Sequence, residues 1–294
     1  MKPFPVKIRM ITPLFSYGAN NKNDPQPEIR VASIRGMLRW WANALMSANE
    51  VTEIFGGEQD GGPVSSRVRI RLSPMQQPQK SKSNLLPHPC PHQSPKVSIV
   101  AGTKFELLFS ECLNGKKELD ARFIRVLKCW LLLGAIGGRS NRGAGSFTFE
   151  WDDFHAPTAA AAYISEVNRL LQGSHLRVAI LPEEFSSAED ARIVASNTIA
   201  GGVGNNALGN ISPRVPSPLK FRVVEMRSNE GAMPRKYFVL AALWDGRNRH
   251  QEGRRDLKTA IDELCRRVPP KREAKKVGEL LKASALYQWC NSNQ

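Results

Sequence analysis

VKIRMITPLF (residues 6–15) and SIRGMLRWWANAL (residues 33–45) decide the fold class between them. In the first, Val6, Ile8 and Met10 alternate with Lys7 and Arg9, the period-two pattern of a half-buried strand. In the second, Ile34, Leu38, Trp41 and Leu45 recur at helical spacing, and Ser33 stands where an N-cap hydroxyl would accept from the free amides of the first turn. A strand therefore leads into a helix. Further out, SSRVRIRLS (65–73) places Val68, Ile70 and Leu72 on one face and Arg67, Arg69 and Arg71 on the other, and KFELLFS (104–110) reads as a more buried strand. Residues 121–136 read as a helix with Phe123, Val126, Leu127, Trp130 and Leu133 inward, and SFTFEW (146–151) closes the series as a strand. Strand, helix, strand, strand, helix, strand is the order of α+β domains of the ferredoxin-like, RRM-like kind, an antiparallel sheet backed by two helices.

The chain has 294 residues, above the usual size of one domain. Residues 1–156 are expected to form this N-terminal domain and 157–294 a second, either a degenerate copy of the same fold or helices with a hairpin. Helices are expected over 159–171, 188–199, 254–268 and 273–289, and strands over 177–181, 219–226 and 237–244. No residue-level repeat links the halves. The stretch SPMQQPQKSKSNLLPHPCPHQSPK (73–96), rich in Pro, Ser and Gln, is expected to be a mobile insertion.

Lys and Arg number 42 against 27 Asp and Glu, a formal charge of +15 spread over both halves. Such a chain seeks a polyanion, and no basic amphipathic segment or lipidation signal directs it to a membrane surface, so nucleic acid is the expected partner. The longest apolar run, residues 126–136, is interrupted by Lys128 and falls short of the ~20 residues a membrane span needs. The N-terminus MKPFPVKIRMI does not read as an export signal, and five scattered cysteines without a CxxC suit reduced thiols. A cytoplasmic location follows from these readings.

Two motifs carry candidate chemistry. SIRGMLRWW (33–41) sets Arg35 and Arg39 four residues apart, away from Ile34, Leu38 and Trp41, beside a helix start whose free amides favour an anion; Gly36 permits close approach of a backbone. A solvated basic face is the competing reading. AIGGRSNRGAGSF (135–147) is glycine-rich but follows a helix, so it is neither a P-loop nor a dinucleotide fingerprint. Gly137 and Gly138 are expected to cap that helix, while Arg139 and Arg142 among four glycines could track an RNA backbone.

With ITPLF (11–15), PEIRVASIRGMLRWW (27–41), IFGG (54–57), SSRVRI (65–70), LLLGAIGGRSNRGAGSF (131–147) and, in the second half, SPRVPSPLKFRV (212–223), the sequence resembles the RAMP superfamily of CRISPR-associated proteins. Within it the resemblance is to the first RAMP subunit of type III-B, Cmr-module, effector complexes. That resemblance implies a non-catalytic subunit holding crRNA backbone near the guide's 3′ end and admitting target RNA, next to other RAMP subunits. It places Ser33, Arg35, Gly36 and Arg39 on the backbone-contacting helix start and Gly138, Arg139, Arg142 and Gly143 on the glycine-rich loop. Arg214 and Lys220 join them from the second-half motif. No cofactor or metal is implied.

An alternative from another class is a RAMP-type endoribonuclease cutting target RNA with Asp24, although Asn-Asp-Pro is also strong turn chemistry. His88, Cys90 and His92 at alternate positions form a conceivable metal set whose spacing matches no common zinc signature. The cationic stretch from Arg247 to Lys276 could meet RNA or an acidic neighbour, or simply face solvent.

Overall fold

The structure is a computed structural model that describes residues 3–18, 26–59, 61–73, 77–85, 95–112, 118–197, 217–227, 235–243, 251–266 and 272–291. Strand β1 (Phe4–Met10) leads to helices α1 (Val31–Leu45) and α2 (Ala48–Phe55), a small hairpin of β2 (Gly57–Gln59) and β3 (Gly62–Val64), and strand β4 (Val68–Leu72). A second hairpin, β5 (Lys80–Ser83) with β6 (Lys96–Ile99), precedes β7 (Lys104–Glu111), α3 (Ala121–Leu133) and β8 (Phe147–Glu150). The main sheet runs β4-β7-β1-β8, antiparallel throughout, which is the ferredoxin-like order.

Register follows from the alternation. Val6 lies opposite Leu107 and Ile8 opposite Phe105, and these side chains, with Val68, Ile70 and Phe109, meet Ile34, Leu38 and Trp41 of α1 and Phe123, Val126 and Trp130 of α3 in one core. A one-residue slip would turn that set to solvent. The opposite face of the sheet, bearing Lys7, Arg69, Arg71 and Lys104, has no helix over it among the described residues.

Several local expectations are corrected. Helix α1 begins at Val31, and its N-cap is Arg30, without a side-chain cap bond, so Ser33 lies inside the first turn. Val31 packs on the core, which favours the earlier start. Helix α3 ends at Gly134, in extended backbone, and not at Gly137 or Gly138. Helix α2, unanticipated, is fixed by a capping box between Ser47 and Glu50. Within the expected insertion, residues 80–83 pair with 96–99.

Beyond β8 come α4 (Ala160–Leu170), β9 (Arg177–Ile180), α5 (Ala188–Asn197), β10 (Leu219–Arg227), β11 (Arg235–Leu243), α6 (Gln251–Cys265), α7 (Arg272–Lys282) and α8 (Ala285–Asn291). The helix expected over 273–289 is thus two, parted at Ser284, whose buried hydroxyl donates to Leu281 O at 2.6 Å. The second sheet runs β10-β11-β9. Val224, Met226, Leu240 and Ala242 on one face join the first core. Phe221, Val223, Val239 and Ala241 on the other meet α5, α6 and α7 through Ala191, Ala195, Ile261, Val277 and Leu281.

Arg222 fastens this second sheet to the first. Only 3% exposed, it donates through Nη1 to Leu131 O at 2.7 Å and Trp130 O at 3.4 Å, and through Nη2 to Phe147 O, with its guanidinium over the Phe147 ring. The first two carbonyls belong to the last turn of α3, where helical acceptors lack partners and the dipole favours a cation. Arg222→Met should lower the unfolding free energy by about 2–3 kcal/mol, the cost of stranding buried acceptors. Urea denaturation of the full chain checks this, with Arg222→Lys expected in between.

Candidate nucleic-acid interface

The glycine-rich loop is first of all a joint. Ile136 N donates to Gly145 O at 2.9 Å and Gly145 N to Pro13 O at 2.9 Å, while Gly143 O accepts from the hydroxyls of Thr12 at 2.8 Å and Ser146 at 3.0 Å. The loop then runs along β10: Gly143 N donates to Phe221 O, Phe221 N to Asn141 O, and Val223 N to Ser146 Oγ. Gly143, at φ +78°, has Ala195 Cβ at 3.0 Å from where its own Cβ would lie, and at Gly145, φ +66°, a side chain would collide with Ile136 O. These two glycines are required by left-handed backbone and close packing.

Arg142 is spent on the same joint. It is 5% exposed, donates to Leu219 O at 3.0 Å and lies over the Phe221 ring, and burial pushes its guanidinium down to about 10. Together with Gly143 it holds protein backbone, which corrects the expectation of a free loop cation. Gly138 and Arg139, by contrast, are exposed. Arg139 has φ +59°, a left-handed backbone that costs a non-glycine residue about 1–2 kcal/mol.

The two sequence motifs converge on one extended strap. Phe15 O accepts from Gly138 N at 2.6 Å, Ser16 O from Glu28 N at 2.8 Å, and Tyr17 O from Arg30 Nη1 at 3.1 Å. The strap thereby sets the start of α1 beside the exposed turn at Gly138 and Arg139. Sequence reasoning missed a neighbour there: hairpin β5–β6 is tied to the strap by a Leu14–Ile99 bridge and by Tyr17 Oη donating to Val97 O at 2.7 Å. It presents Lys80, Lys82 and Lys96 to solvent, and Lys80 Nζ donates to Gln26 Oε1 at 2.9 Å. Its only signal was the alternating KSKS at 80–83.

On α1 itself the basic stripe turns inward to protein carbonyls. Arg35 donates to Val68 O and Phe55 O, and Arg39 to Gly56 O at 2.8 Å, so both guanidinium groups satisfy the end of α2. Burial, then the Arg39 charge, lowers the pKa of Arg35. Gly36, however, is exposed, with open space where a side chain would stand. A glycine inside a helix costs about 1 kcal/mol, and no packing among the described residues requires this one. Arg214, Asp24, His88, Cys90, His92 and Arg247 lie outside the described residues. Among those described, no group of three His, Cys, Asp or Glu could hold a metal, and no helix is long and apolar enough to cross a membrane.

Fold and joint together define an α+β protein whose ferredoxin-like sheet is locked through a glycine-rich loop to a second sheet. Residues 7–148 match the family model of the RAMP superfamily. Among solved structures, the chain is similar in fold to Cmr1 from Pyrococcus furiosus, in its apo form, with a TM-score of 0.51 and 17% identity over 84% of this chain and 89% of that one. A search of curated protein sequences finds no match.

Lys220 links both motifs electrostatically. Its Nζ donates to Asn141 Oδ1 at 2.8 Å and stands 4.3 Å from the Trp40 ring centre, and burial, then the Arg142 charge, pushes its ammonium down to about 8. An unfolded lysine titrates near ~10.4, so between those values the unfolded chain binds more protons and this residue makes stability rise with pH. Tyr163, raised to about 12 by burial, acts with the opposite sign once the unfolded phenol ionises near ~10. Urea titrations at pH 7.5 and 9.5 should therefore show the chain gaining stability relative to its Lys220→Met variant. An equal response of the two would contradict the assignment.

Proposed function

We propose that this chain is a non-catalytic RNA-binding subunit of a CRISPR RNA-guided, type III-B effector complex. In this reading it holds crRNA backbone near the guide's 3′ end and admits target RNA, alongside other RAMP subunits. The observation that carries the proposal is the convergence, on one strap, of a helix start with vacant space over Gly36 and an exposed arginine held in a strained backbone. Ser33 and Gly36, with the uncapped amides of α1, form one side of the phosphate track, and Gly138 and Arg139 the other. Arg35, Arg39, Arg142, Gly143 and Lys220 position these groups from inside. Arg214 is assigned to the same surface by the family resemblance alone. Similarity to Cmr1 supports the assembly, and the net charge of +15 supports the polyanion. Residues 1–156 and 157–294 act as the two domains of this subunit.

Binding of single-stranded RNA, duplex RNA and DNA at two salt concentrations, with divalent metal present and cleavage followed on the same gels, tests the reading. Salt-sensitive binding of single-stranded RNA without cleavage supports it. Arg139→Ala should weaken binding of all sequences alike and reduce the salt slope by about 0.7, one phosphate contact on a single strand. Gly36→Ala makes a two-sided prediction: stability rises by about 0.5–1 kcal/mol because the helix improves, while RNA affinity falls roughly tenfold because the added methyl occupies the approach. A stabilised variant with unchanged affinity would remove Gly36 from the site.

A further inference from the structure

Three of the four outer strands of the two sheets have main-chain groups at their edges engaged by specific partners. On β4, Val68 O accepts from Arg35 Nη1 and Ser66 Oγ, and Val68 N donates to Ser66 Oγ at 3.2 Å. On β8, Phe147 O accepts from Arg222. On β10, Phe221 and Val223 are bonded to the glycine-rich loop. Strand β9 is different.

Its register with β11 sets Ile180 against Leu240 and Ala179 against Ala241, and Leu181 N donates to Val239 O at 2.8 Å. Because bonded pairs alternate along an antiparallel ladder, Leu181 and Ala179 face β11, and the N–H and C=O groups of Val178 and Ile180 point the other way. No partner meets them among the described residues. Within Arg177–Ile180 the edge carries no proline, bulge or inward-facing charge, the devices that usually blunt such an edge, although the strand is short and Pro182 follows its last ladder residue.

The topology says what belongs there. In the first sheet the order of strands by sequence is second, third, first, fourth, and β8 is the fourth, antiparallel to β1. In the second sheet β9, α5, β10, β11 and α6 repeat strand, helix, strand, strand, helix, and the order β10-β11-β9 is again second, third, first. The chain then continues into α7 and α8, so the place corresponding to β8 is not filled by a described strand. Helix α4 packs against β9 through the first core, and α8 approaches it from the second, with Trp289 of α8 5.6 Å from the Arg177 guanidinium.

We propose that the edge of β9, without a strand partner among the described residues, receives an extended segment from a neighbouring subunit of the effector, which pairs antiparallel with Arg177–Ile180 and completes the second sheet. Main-chain hydrogen bonds to Val178 and Ile180 supply the recognition, as in other cases of strand addition. A second copy of this chain is disfavoured as the occupant because two chains of +15 repel each other. The identity of the partner rests on the functional reading above; the absence of a strand beside β9 among the described residues does not.

The test uses the full chain co-expressed with the guide RNA and the other subunits of its own type III-B complex, with the purification tag on another subunit. Hydrogen exchange of the peptide spanning residues 176–181 should be slower in the assembled complex than in the free chain, at the amides of Val178 and Ile180. Ile180→Pro removes the outward amide without costing a bond to β11, a position where proline is tolerated. This variant should keep the melting temperature and single-stranded RNA binding of the parent while its recovery in the complex drops at least tenfold. Assembly of the parent chain with those amides unprotected would overturn the proposal and leave the RNA reading intact, as would undiminished assembly of a folded Ile180→Pro. Protection in the free chain accompanied by a dimer mass would overturn it in favour of a second copy. Failure of the parent chain to enter the complex would overturn both the partner and the functional reading. The exchange measurement on the parent decides the matter even where the proline variant does not fold.

Discussion

A cation buried against main-chain carbonyls holds the two sheets of this protein in one arrangement. Arg222 reaches from β10 into the end of α3 and the edge of β8, where it donates to the backbone oxygens of Trp130, Leu131 and Phe147. Burial pushes its guanidinium down to about 10, so the charge is retained near neutral pH at a desolvation cost offset by donors placed on acceptors that would otherwise lack partners. Arg142 meets Leu219 from the loop side in the same manner. Such contacts are directional. A slip of β10 by one residue would replace Arg222 with an apolar neighbour and strand the end of α3, so the joint fixes register as well as proximity.

The same economy explains how a chain of +15 remains compact. Part of its positive charge is turned onto the protein itself: the half-buried Arg35 and Arg39 close the end of α2, while among buried side chains Arg192 of α5 pairs with Glu189 and reaches Asn84 O, and Arg142 and Arg222 close the joint. Net charge therefore overstates the cationic surface offered to a partner. What remains outside includes Arg139 and the hairpin lysines near the strap, and Lys7, Arg69, Arg71 and Lys104 on the open sheet.

The elements were largely legible because each carries its own period. Val6, Ile8 and Met10 announce a strand, and Ile34, Leu38 and Trp41 a helix, whatever surrounds them. Boundaries set by tertiary contact were not: Val31 starts α1 early because the core accepts it, and Ser284 parts α7 from α8 because its hydroxyl turns back to Leu281 O. The candidate site was legible only as residue types. Arginine type and spacing are the same for a guanidinium facing phosphate and one facing a carbonyl, and only the fold separates exposed Arg139 from buried Arg142, three residues away. The strap contact between Phe15 and Gly138 spans more than a hundred positions, and neither it nor the contact of Ser16 with Glu28 has a sequence period to betray it.

The order of the first sheet is that of RNA-recognition domains, but its open face argues for another use. Those domains read bases by stacking them on aromatic rings at the centre of the sheet. Here the outward positions of the central strands are Lys7 and Arg9 on β1 and Glu106, Leu108 and Ser110 on β7, flanked by Arg69 and Arg71 on β4 and Thr148 and Glu150 on β8, with no aromatic ring among them. Phe149, the nearest ring on β8, stacks on Phe154 instead. Without a stacking platform, this face cannot supply the base contacts worth about 1–3 kcal/mol each that ring-lined sheets provide. On the proposed function, RNA would be held through backbone contacts and its sequence read by another molecule. That division suits the subunit proposed above, whose nucleic acid partner is itself a guide: base pairing would do the reading, and the proposed surface of strap, helix start and Arg139 turn the holding.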